Sequence, residues 1–142
     1  MQKLLLIVLI ILVHMMGLSQ SYELTVNIIG INEIKGSLRI AIFSNPENFK
    51  DKVNPADSAI IEVTSNTTSH TFKLNQDIYA IAVYHDENND KQLNKRSLGI
   101  PTEGIGFSNL TSKRKRPPIF EESSFSLATD TTVQIPLFYN KE

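Results

Sequence analysis

The chain contains no cysteine. No disulfide can staple it, so its stability must come from a buried core or from a bound ion. It carries no charge excess either, with 14 Lys and Arg against 15 Asp and Glu for a net of −1. Nucleic acid is therefore not an expected partner, since binding it needs a clustered basic surface. Internal repeats and low-complexity tracts are missing. Long apolar runs are missing too, with one exception at the N-terminus.

That exception is Leu4 to Val13, preceded by Lys3 and followed by the small residues Gly17 and Ser19. A basic start, an apolar run of this length and small residues at −3 and −1 describe a secretory signal peptide. His14 ends the run well before the roughly 17–25 apolar residues that a bilayer span requires. No stable membrane span is expected, and no Cys follows that could carry a lipid. Residues 1–19 are read as the signal peptide, with cleavage after Ser19. Residues 20–142 are read as a single β-sandwich domain, secreted or periplasmic. Losing Lys3 leaves 13 basic against 15 acidic side chains, a net of −2. The remaining 123 residues can enclose a core without covalent help.

What is present is a succession of short alternating segments. Tyr22, Leu24, Val26 and Ile28 alternate with polar residues, the period of a half-buried strand. A second strand spans Gly36 to Phe43, with Arg39 facing out. Asn32 and Gly36 between the two are turn residues that predict a hairpin. Asn45-Pro46 suits the start of a short helix, an excursion tucked down by Phe49 and ended by Asn54-Pro55. Strands follow at Ala59 to Thr64 and Thr71 to Leu74. Ile78 to Tyr84 is apolar on both faces and predicts a central strand. Tyr79 at its start is placed like the corner tyrosine of Greek-key sandwiches, or is an ordinary core tyrosine. Phe125 and Leu127 mark another strand, and Thr131 to Tyr139 the last, where Pro136 favours an edge. About seven short strands with no helix-length apolar period predict an all-β fold. The expected architecture is a Greek-key β-sandwich, immunoglobulin-like or transthyretin-like, with one long ordered loop.

That loop starts at His85. Asp86, Asn88 and Asp90 have the spacing of calcium loops, in which alternate side-chain oxygens turn toward one centre. Gln92 can add its backbone carbonyl and Asn94 its side chain, while Leu93 pins the loop to the core. Calcium is the one cofactor this pattern points to, with Glu87 or Glu103 closing the shell. Two positions depart from the helix–loop–helix form: Lys91 stands where a Gly is wanted and Ser97 where a bidentate Glu is wanted. The competing reading is a turn whose Asp and Asn side chains bond their own backbone. Gly99, Gly104 and Gly106 follow, without the strand–glycine–helix setting or the Lys-Ser/Thr of a phosphate loop. Their expected use is geometric, in an ordered, non-strand loop packed through Ile100, Ile105 and Phe107.

The run from Tyr79-Ala80 through His85-Asp86-Glu87-Asn88, then Leu98-Gly99-Ile100-Pro101-Thr102-Glu103-Gly104 and Gly106-Phe107-Ser108-Asn109, resembles the bacterial "domain of unknown function 2141" family. The early strands and the Pro117-Pro118 to Phe120 step agree with it. The resemblance implies an exported bacterial protein and supplies no activity. Asp77-Ile78 stands where a Gly precedes the tyrosine, and Asn94 where an Asp ends the acidic loop, which removes one anionic ligand.

Chemistry and binding are both open from these residues. A hydrolase-type site would use His85 with Asp86 or Glu103, but no nucleophile is marked. His85 ends a buried strand and is read first as a hydrogen-bonding residue of the acidic loop rather than as a catalytic one, and His70 is expected on a solvent face. Zinc is disfavoured by the lack of Cys and the scarcity of His. Lys113-Arg114-Lys115-Arg116 is either a solvated loop or a contact for anionic lipid or polysaccharide. Catalytic residues are not assigned. The candidate functional loop comprises His85, Glu87, Glu103, Ser108 and Asn109 beside the five calcium-spaced positions. The leading expectation is a binding or structural module of unknown ligand, a glycan or an envelope protein.

Overall fold

A computed structural model of the chain describes residues 20–140. The expected signal peptide, residues 1–19, lies outside the described residues. Among those residues no helix is long and apolar enough to cross a membrane.

The alternation seen in the sequence becomes strand β1 (Ser21–Ile29), whose Leu24, Val26 and Ile28 are fully buried. It pairs antiparallel with β4 (Thr67–Asn75) and parallel with β8 (Thr131–Pro136), giving a first sheet of order β4-β1-β8. The second sheet has the order β3-β2-β5-β6, from β2 (Ser37–Phe43), β3 (Asp57–Glu62), β5 (Asp77–Asp86) and β6 (Ile105–Phe107). The short β7 (Phe125–Leu127) pairs with the start of β5. Leu38, Ile40 and Ile42 of β2 and Tyr79, Ile81 and Val83 of β5 face the inner side chains of β1, β4 and β8 across one core. This is an all-β sandwich, as the sequence predicts.

The expected hairpin between the first two strands does not form. β1 pairs with β4 and β2 with β5, so the chain changes sheet at the turn between Ile29 and Ser37. Turn residues permit a reversal but do not choose the edge to which the chain returns. Two strands that are each apolar on one face bury more area face to face than side by side. Residues Ile105 to Phe107, expected to be non-strand, pair with β5, and Ile105 also bridges to Phe138 so that one side of the sandwich is closed. His70 is half-buried rather than solvent-facing, its ring 4.6 Å from that of Phe72 on the inner side of β4.

The outer face of the second sheet is covered at one end. Helix α1 (Pro46–Asp51) is capped by the Asn45 side chain, which accepts from Asn48 N–H at 2.9 Å, and it closes at Lys52 in the left-handed region. It lays Phe49 against Phe43, Phe107 and Phe120 at ring distances of 5.7–6.1 Å. Phe120 opens a second short helix, α2 (Phe120–Ser123), which the sequence reading did not anticipate. The Lys52 ammonium stands 3.9 Å from the centre of the Phe49 ring and donates to the Phe49 carbonyl. Burial there pulls its pKa below the usual lysine value. β5 is thus covered on both faces, as its double apolar pattern requires. The Tyr79 hydroxyl donates to Asn75 O at 3.1 Å, the bond of a tyrosine corner.

Candidate functional site

β5 ends on His85 and Asp86, and neighbouring residues of a strand point to opposite faces. The two side chains therefore part. His85 turns inward and is fully buried. Its Nε2 lies 2.7 Å from Lys35 O, and a carbonyl only accepts, so Nε2 carries the proton. Nδ1 lies 2.8 Å from the Tyr139 hydroxyl, which also takes a long 3.4 Å bond from Asn32 N–H and directs its own proton to the imidazole. Both ring nitrogens are occupied by the fold. Gly104 backs this arrangement: its carbonyl accepts from His85 N–H at 2.8 Å, and a Cβ there would fall 2.4 Å from the Tyr139 ring.

Asp86 turns outward and is also fully buried. Its Oδ2 accepts from Arg39 Nε at 2.7 Å and from Lys91 N–H at 3.0 Å, and its Oδ1 from Asp90 N–H at 3.1 Å. Close approach of the first turn makes this possible: Gly36 has φ +67°, and a Cβ would meet Asp86 O at 2.1 Å. Glu103 is the second buried carboxylate. Its Oε1 accepts from Glu87 N–H and its Oε2 from Asn94 N–H, each at 2.9 Å. Burying a carboxylate costs several kcal/mol, roughly, unless charge-assisted hydrogen bonds offset it. Here the donors are the loop's own N–H groups, so the offset and the ordering of residues 87–94 are one event. Glu87 reaches back to Lys35 Nζ at 3.2 Å, and Lys35 also meets Glu33. These two carboxylates, Glu33 foremost, raise the lysine pKa.

The calcium-spaced residues are divided by this geometry. Asp86 faces Arg39, whereas Asn88, Asp90 and Asn94 converge on one another. Asp90 Oδ2 accepts from Asn94 Nδ2 at 2.8 Å and from Asn88 Nδ2 at 3.1 Å, and its Oδ1 from Gln92 N–H at 2.9 Å. The bond from Asn94, followed by that from Gln92 N–H, holds the Asp90 carboxyl below its usual pKa. Among the described residues no group of three or more His, Cys, Asp or Glu is disposed to hold a metal.

Beyond Asn94 the chain forms a narrow finger. Thr102 N–H donates to Asn94 O at 2.9 Å, Lys95 bridges to Pro101, and Arg96 N–H donates to Ile100 O at 2.9 Å. At the tip Leu98 is 97% exposed with φ +66°. That region costs an L-residue other than Gly roughly 1–2 kcal/mol, and nothing in the core is gained by it.

Ser108 and Asn109 belong to the fold rather than to the loop's rim. Ile81 N–H falls in the gap between the β6 and β7 ladders, and buried Ser108 Oγ accepts it at 2.8 Å. The same hydroxyl donates to Ser123 O at 2.6 Å, and Asn109 Nδ2 donates to Ser124 O at 2.8 Å. The basic run is held as well. Arg114 and Arg116 each lie 3.0 Å from Glu122, and Lys113 Nζ donates to Tyr139 O at 3.2 Å. The Arg116 guanidinium, with Ile119 N–H next, brings Glu122 down to about 2.

Arg39, Tyr139 and the Lys35 carbonyl carry no local signal of their roles in the sequence. Each lies about fifty residues from its partner, and no local pattern marks it. Leu98 did have a signal, an apolar residue set between Ser97 and Gly99 directly after the polar run from Asn94 to Ser97.

No curated protein and no solved structure matches the chain. A family model described as an uncharacterised protein conserved in bacteria does match, over residues 26–135, which takes in both sheets, the acidic loop and the finger. The chain belongs to this bacterial family, DUF2141.

Proposed function

We propose that this is an exported binding or structural module, secreted or periplasmic after removal of residues 1–19, whose working part is the finger above the acidic loop. The observation that carries the reading is the pair of buried carboxylates, Asp86 and Glu103, which take four loop N–H groups between them and so anchor the base of the finger, whose tip exposes Leu98 almost fully at φ +66°. An exposed apolar side chain on a hydrogen-bonded base suits recognition. His85 is engaged on both nitrogens and points away from Asp86, which suits a positioning role better than the hydrolase alternative. The ligand class is a glycan or an envelope protein. The test is co-sedimentation with the producing cell's envelope fraction: the natural protein is retained and Leu98→Asp is at least tenfold weaker. Equal retention of the two refutes the finger's role.

Calcium enters as a stabiliser of the same loop. Asp86 is committed to Arg39, so the ion's ligands would be Asp90, Asn88 and Asn94, whose amide oxygens turn toward Asp90 by side-chain rotation, with the Gln92 carbonyl and water completing six to eight oxygens. Calcium at 100 times its dissociation constant would add about 2.7 kcal/mol of stability. The gain should be reversed by a chelator and absent in Asp90→Asn. A melting temperature indifferent to calcium removes the ion from the account and leaves the finger in place.

A further inference from the structure

Three of the four sheet edges are protected in ways that natural sheets use against pairing with other chains. β4 exposes only polar side chains, Thr67, Ser69, Thr71, Lys73 and Asn75, β8 carries Pro136 and leads into the bridge between Ile105 and Phe138, and the last edge of the second sheet is shared by the three-residue strands β6 and β7. β3 is the exception. Its only ladder partner among the described residues is β2, and its middle, Ser58-Ala59-Ile60-Ile61, has no charge, proline or glycine. Ile60 is 65% exposed there.

We infer that β3 is a self-association edge, and that its occupant is β3 of a second copy of this chain, paired antiparallel about a twofold axis at Ile60. Backbone parity sets the register. Val63 N–H donates to Gly36 O, so Val63, Ile61 and Ala59 direct their backbone groups toward β2. Antiparallel pairing alternates, which leaves the N–H and C=O of Ser58, Ile60 and Glu62 aimed at the open edge. Two such edges match when Ile60 faces Ile60 and Ser58 faces Glu62 of the other copy, a self-complementary arrangement with about six hydrogen bonds. Charge agrees with parity. In this register Asp57 faces Val63 and no two carboxylates meet. A one-residue shift would oppose Asp57 to Glu62 and would set outward-directed groups against inward-directed ones. The exposed Ile60 side chains meet across the axis, an aliphatic cross-strand pair.

The chain's lack of cysteine makes the test specific. In this pairing the Cα atoms at position 60 are about 5.5 Å apart, within disulfide range, while those at position 58 lie about 14 Å apart. Light scattering on the protein recovered after expression of the full chain should show its mass double between ~1 µM and ~500 µM, and Ile60→Lys should abolish the doubling while leaving the melting curve at ~1 µM, where both chains are monomers, unchanged. Under mild oxidation Ile60→Cys should crosslink at least tenfold faster than Ser58→Cys. A monomer throughout that range overturns the inference. So does a dimer that survives Ile60→Lys or whose Ser58→Cys variant crosslinks as fast as Ile60→Cys.

Discussion

Asp86→Asn tests how far the acidic loop depends on one carboxylate. The substitution keeps the shape and replaces one oxygen by an amide nitrogen, a donor. The carboxylate serves three donors: Arg39 Nε and Lys91 N–H on Oδ2, Asp90 N–H on Oδ1. Asparagine has a single acceptor oxygen, so whichever way its amide is turned, at least one of these donors faces another donor. The Arg39 side chain is only 19% exposed and loses its countercharge. Breaking a buried ion pair by removing one partner costs about 3–5 kcal/mol, and the exposure remaining at Arg39 places this case at the lower end, about 3 kcal/mol. For a domain of this size that is a fall in melting temperature on the order of 10 °C. Urea unfolding measures the free energy. Trypsin nicking at Lys91, Lys95 and Arg96 in native buffer measures whether the loop has loosened, and it should accelerate before the core unfolds. Arg39→Leu closes the double-mutant cycle, and the two changes should fall short of additivity by 1 kcal/mol or more, roughly. If Asp86→Asn costs under about 1 kcal/mol and the nicking rate does not change, the carboxylate does not organise the loop and the argument built on it fails.

Phe49→Ala should cost about 3–5 kcal/mol by calorimetry, because it empties the centre of an aromatic cluster and removes the ring beneath Lys52. Tyr139→Phe should cost about 1–3 kcal/mol and should change the His85 ring-nitrogen shifts in an NMR spectrum, since Nδ1 loses the hydroxyl it accepts from. Gly104→Ala should destabilise by about 1–3 kcal/mol through the clash with the Tyr139 ring, and Tyr139→Leu in the same chain should recover part of that loss. Glu122, held at about 2 chiefly by Arg116, is depressed relative to its unfolded value of 4.5, so whatever its pair contributes is fully present above that value and disappears only as the pH falls through about 2. A carboxyl-carbon titration should therefore show Glu122 still ionised at pH 4, in contrast to an ordinary surface glutamate.

Which residues are buried was largely legible in the chain, because side-chain alternation is a local property of an extended backbone. Leu24, Val26 and Ile28 of β1, the doubly covered β5, the Asn45 cap, the Phe49 anchor and the edge position of Pro136 all follow from patterns a few residues long. What pairs with what was not legible. The first two strands separate into different sheets, Ile105–Phe107 joins the edge of β5, and His70 turns toward Phe72, because edge choice is settled by the apolar area the whole chain can bury. The same division runs through the site. The spacing of Asp86, Asn88 and Asp90 announced a polar loop built on side-chain oxygens. Only the folded chain, by carrying Arg39 and Tyr139 across about fifty residues of sequence, decided that Asp86 anchors an arginine and that His85 is locked inside the sandwich.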